Sequence, residues 1–64
     1  MTSIEKKARV VVKEAYFDYK VSRSQYAYNI YSSKMEMLEQ LFPTTTNQEN
    51  LERKWDIEFK KEND

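Results

Sequence analysis

At 64 residues the chain has room for one small domain, spanning 1–64, and can bury only a modest share of its surface. It contains neither cysteine nor histidine, which excludes disulfides, thiol nucleophiles, imidazole acid–base catalysis and the usual zinc sites. Charge balances at 11 basic against 11 acidic residues, but six cations and three acids through Arg23 give +3, whereas five cations and eight acids beyond it give −3. Such asymmetry can set helices or subunits head to tail or present a weakly basic face. The plainer reading is a solvated helix surface.

Glycine is absent and Pro43 is the single proline, so the residues that shape hairpins are missing and an all-α fold is expected. Val10-Val11-Val12 and the aromatic run from Tyr16 to Tyr31 favour strands by propensity, yet the alternation of a strand is not there. Helical spacing fits better. One row reads Ile4, Ala8, Val11, Ala15, Tyr19, Ser22, Tyr26, Ile30, Ser33, Met37 and Leu41. A second reads Val10, Phe17, Val21, Ser24, Tyr28, Tyr31, Met35, Leu38 and Phe42.

These rows predict a long N-terminal helix over about 3–42, opened by a Thr2-x-x-Glu5 capping box and stopped by Pro43. The alternative breaks it near 20–22 and gives a three-helix bundle, because Ser22-x-x-Gln25 is another capping box, with Val21 and Tyr26 as its hydrophobic staple. The rows run through the region in register, which favours the continuous helix. A short C-terminal helix over about 47–61 follows Thr46-x-x-Glu49 and folds back as a helical hairpin. Its stripe of Leu51, Trp55 and Phe59 should anchor on Tyr31, Met35 and Leu38, with Trp55 supplying the largest area.

A continuous rod of about 59 Å outreaches a second helix of about 22 Å. Apolar residues at its far end, with the tyrosines near the middle, would then need an outside partner: Val11, Ala15, Phe17, Tyr19, Tyr26 and Tyr28 are the candidate interface for a dimer or higher oligomer and for an unidentified protein. A tyrosine-rich core rim is the alternative for the same residues.

Carboxylate pairs such as Glu36 and Glu39 have the spacing of a solvated helix face, and the serines have no histidine to activate them. The expectation is therefore no enzyme, no catalytic residues, no metal and no cofactor. Lys20-Val21-Ser22-Arg23-Ser24-Gln25-Tyr26 resembles the turn and early recognition helix of helix-turn-helix proteins, though without the glycine such turns often use. That resemblance implies DNA contact by Ser22, Arg23 and Gln25, with Lys13 and Lys20 on phosphates. It is the less favoured reading for a chain of zero net charge. The N-terminal segment lacks the apolar core of a signal peptide and no stretch is apolar enough to span a bilayer, so the expected place is the cytoplasm, off the membrane. Compact size, high charge and interface-like aromatics are typical of small regulators or inhibitors, phage and mobile-element products among them.

Overall fold

The computed structural model describes residues 3–62, in which three helices and no strand account for 87% of positions. They are α1 (Ser3–Ser22), α2 (Gln25–Leu41) and α3 (Gln48–Glu62). The Thr2 end of the first predicted capping box lies outside the described residues.

The continuous helix over 3–42 is not formed. Ser22 ends α1, and Arg23 follows in the left-handed region with φ 53°, its N–H donating to the Tyr19 carbonyl at 2.7 Å. This is a helix stop usually made by glycine. Ser24 then opens α2 in extended conformation, its hydroxyl accepting from the Ala27 N–H at 3.1 Å. The cap therefore sits two residues beyond the predicted Ser22, and the predicted staple residues Val21 and Tyr26 are both exposed.

The break wins on magnitude. A left-handed non-glycine residue costs about 1–2 kcal/mol, while each large apolar side chain taken from water gains about 1.5–3 kcal/mol. Turning back at Arg23 lets Val12, Ala15 and Tyr16 of α1 meet Tyr31, Met35 and Leu38 of α2, all buried. The longest dimension is consequently 30 Å, the length of a 20-residue helix, in place of a rod twice as long.

Pro43 ends α2 as expected: Phe42 takes φ −132°, its N–H reaching the Leu38 carbonyl at 2.9 Å. The cap of α3 is Asn47 rather than the predicted Thr46. Its side-chain oxygen accepts from Asn50 N–H and its carbonyl from Leu51 N–H, both at 3.0 Å. The threonine turn serves tertiary closure instead, Thr45 Oγ1 donating to the buried carboxylate of Glu5 at 2.8 Å. Chain direction follows from the pairings. Early α1 meets the turn before α3 and Phe17 meets Phe59, so these helices run parallel, whereas Tyr19 meets Tyr28 and Val11 shares a groove with Met37 and Leu41, so α2 runs opposite to both.

Candidate functional site

Two surfaces of α1 stand out, and the inner one explains the other. Along the seam with α3, Trp55 is 3% exposed and its ring lies 5.8 Å from that of Tyr16, which in turn lies 4.9 Å from Tyr31. Phe17 meets Phe59 edge-on at 5.3 Å, and Tyr19 meets Tyr28 at 5.1 Å. Tilted rings at these distances add attraction beyond their burial.

Polar atoms then fix the register. Tyr16 donates its hydroxyl proton to Asp56 at 2.6 Å and Tyr31 donates to Glu52 at 2.5 Å, where Gln48 also donates at 3.1 Å. Burial first, and then the hydrogen bond to a carboxylate, push both phenols well above the usual tyrosine range. They are fixed donors at neutral pH, held to a structural task. Lys20 pairs with Asp56 at 3.2 Å and Lys13 with Glu58 at 3.8 Å, so the basic segment and the acidic segment meet across this seam. Arg9 donates to Glu5 at 2.9 Å and to the Thr45 carbonyl at 3.0 Å, tying the start of α1 to the turn before α3.

With the seam and the α1–α2 contact closed, one face remains apolar and uncovered. Ile4 and Val11 on α1 and Tyr26, Ile30, Met37 and Leu41 on α2 are between 38% and 77% exposed. All six belong to the first apolar row of the sequence; the turn at Arg23 folds that row on itself so that its two halves lie side by side. Shallow grooves run along it. One of about 210 Å³ is lined by Ala8, Val11, Val12, Lys34, Met37, Leu38 and Leu41; another lies over Ala15, Asp18, Ser22, Ser24, Tyr26, Ala27 and Ile30.

The structure distributes the predicted interface residues between these environments. Val11 and Tyr26 lie on the open face, Ala15 is in the core, Phe17 and Tyr19 pack against the core, and Tyr28 is edge-on between Tyr19 and Tyr31. The anchor residues Trp55, Tyr31, Met35 and Leu38 share one core cluster, with Leu51 against it and Phe59 on the ring of Phe17. Of the residues considered for nucleic acid, Lys13 and Lys20 are paired with acids of α3, Ser22 and Arg23 form the turn, and Gln25 starts α2, donating to Asn29 at 2.9 Å. Ile4, Ile30, Met37 and Leu41 were visible in the apolar row but carried no sign of which side they would face.

Among the described residues no group of three or more acidic ligands gathers, and no helix is long and apolar enough to cross a membrane. Comparison with known proteins finds no matching family model, no matching curated protein and no matching solved structure.

Proposed function

We propose that this is a non-enzymatic interaction protein that dimerises through the outer face of α1 and α2 and acts as a small regulator or inhibitor of another protein. The observation that carries the reading is the uncovered face of Ile4, Val11, Tyr26, Ile30, Met37 and Leu41. Val11, Met37 and Leu41 line one groove and Tyr26, Ile30 and Met37 the next, so these exposed side chains form a continuous strip and not the isolated scatter normal on a monomer. A second copy is the occupant best matched to it. The face carries one acid, Asp18, and one base, Lys34, among its groove-lining residues, so it does not repel itself, and a two-fold axis would set each sign against the other twice. The former basis for association, a rod too long for its partner helix, is replaced by this folded-over row.

Sedimentation equilibrium at tens of micromolar tests it. The parent should show twice the chain mass, also at high salt, because apolar burial is not screened. Met37→Glu combined with Leu41→Glu should give a folded monomer that melts below the dimeric parent and, unlike it, at a temperature independent of concentration. A parent that remains monomeric at that concentration sinks the reading.

A further inference from the structure

The solvent side of the seam between α1 and α3 opens into a groove of about 330 Å³. Its floor is apolar, formed by Val10, Leu51 and Trp55, and its walls carry Lys6, Arg9 and Lys13 from α1 with Lys54 and Glu58 from α3. Four cations stand against Glu58 and the Glu5 carboxylate that Arg9 holds, a local +2 in a chain whose formal charge is zero. The cations are not equivalent. Arg9 already holds Glu5 and the Thr45 carbonyl, and Lys13 leans on Glu58 at 3.8 Å. Lys6 of α1 and Lys54 of α3 both line the groove and enter no ion pair among the described residues.

We infer that this groove docks an acidic amphipathic segment of another protein, its apolar side chains on Val10, Leu51 and Trp55 and its carboxylates on Lys6 and Lys54. The inference rests on the reading of the protein as a regulator that works by contact, and names the chemistry of its target; it does not depend on the dimer. At about 100° per residue, Lys6 and Lys13 lie on the side of α1 away from Ile4 and Val11, so both surfaces can be occupied together. Charge complementarity brings an acidic chain to the groove, and burial of the partly exposed Val10 and Leu51 against its apolar side chains holds it. A nucleic acid fits less well. The stripe from Lys6 to Lys13 spans only about 10 Å, whereas a duplex presents a charge every ~1.7 Å over a much longer track. Within the groove such a track meets Glu58, and its sugars and phosphates make no use of an apolar floor.

Fluorescence anisotropy decides it with three labelled probes: a helical peptide of repeated leucine and glutamate, a polyglutamate of equal charge, and a mixed-sequence DNA duplex. The leucine–glutamate peptide should bind and shift the emission of Trp55, the single tryptophan. Polyglutamate should bind at least about tenfold more weakly, and Lys6→Glu with Lys54→Glu should lower peptide affinity about tenfold while leaving melting unchanged. The Met37→Glu, Leu41→Glu variant should bind the peptide as the parent does. Peptide binding by a parent that sediments as a monomer would remove the dimer and leave this inference standing. No peptide binding at millimolar concentration, indifference to the charge reversal, loss of binding in the outer-face variant, or tighter binding of the duplex would each overturn it.

Discussion

On one side α1 offers α3 a set of rings and polar atoms that all find partners: Tyr16 with Asp56, Lys20 with the same carboxylate, Phe17 with Phe59. On another it offers Ile4 and Val11, beside Met37 and Leu41 of α2, to water. The two regions differ in kind as well as in coverage. Hydrogen bonds between a phenol and a carboxylate have one good geometry, so the seam specifies a single register for α3. Apolar contact is non-directional, so the outer face specifies that something should cover it and leaves the fit to the partner's shape. Part-exposed pairs such as Lys20 with Asp56 contribute about 0–1 kcal/mol; the seam owes its strength to Tyr16, Tyr31 and Trp55.

Changes in the seam should therefore destabilise each folded chain, whereas changes on the outer face should prevent assembly and remove only the stability that association supplies. The largest expected effect is Trp55→Ala, which removes the anchor of α3 at a cost of about 3–5 kcal/mol, comparable with the whole stability of so small a chain. Thermal unfolding followed by circular dichroism should show little or no cooperative transition. If the variant melts within about two degrees of the parent, the contrast between the regions collapses.

Tyr31→Phe is next. It keeps the ring and deletes the hydrogen bond to Glu52, so it should cost about 1.5–3 kcal/mol, as read from urea unfolding. The same pair predicts an alkaline limit. Both phenols titrate higher in the folded chain than in the unfolded one, where the ordinary value is about 10. Their stabilisation is complete below that value and is lost as pH rises above it, because the unfolded chain releases these protons first. Urea midpoints should begin to fall near pH 10, roughly the ordinary tyrosine value, and keep falling above it, and fall less steeply when Tyr16 and Tyr31 are both phenylalanine. Equal slopes would detach the hydrogen bonds from the seam's stability.

The smallest effect belongs to the turn that creates both regions. Arg23→Gly removes the side-chain clash at φ 53° and should raise stability by about 0.5–1 kcal/mol, leaving sedimentation unchanged. A drop in stability would mean that the arginine side chain contributes more than its backbone strain costs.

Much of this was open to reading in the residues. The lack of glycine, the stop at Pro43, the helix beyond Asn47 and the Leu51–Trp55–Phe59 stripe follow from local chemistry, where the nearest few residues decide the backbone. Both apolar rows were visible as well, including every residue of the open face. The turn was not. A spacing of three and four residues is the same in a rod and in a rod folded in half, and Arg23 has neither the flexibility of glycine nor the fixed angle of proline to mark the place. Whether Ala15 or Val11 faces inward depends on where α2 lies, and the pairing of Tyr16 with Asp56 joins positions 40 residues apart. Sequence alone determined that the chain is helical and which side chains are apolar, since those are properties of each residue and its neighbours. Only the tertiary structure decided which apolar side chains became core and which became surface, with Val12 and Tyr16 from outside both rows in the core and Val10 and Val21 from the second row exposed, because burial gained across the whole fold outweighed one strained residue at the turn.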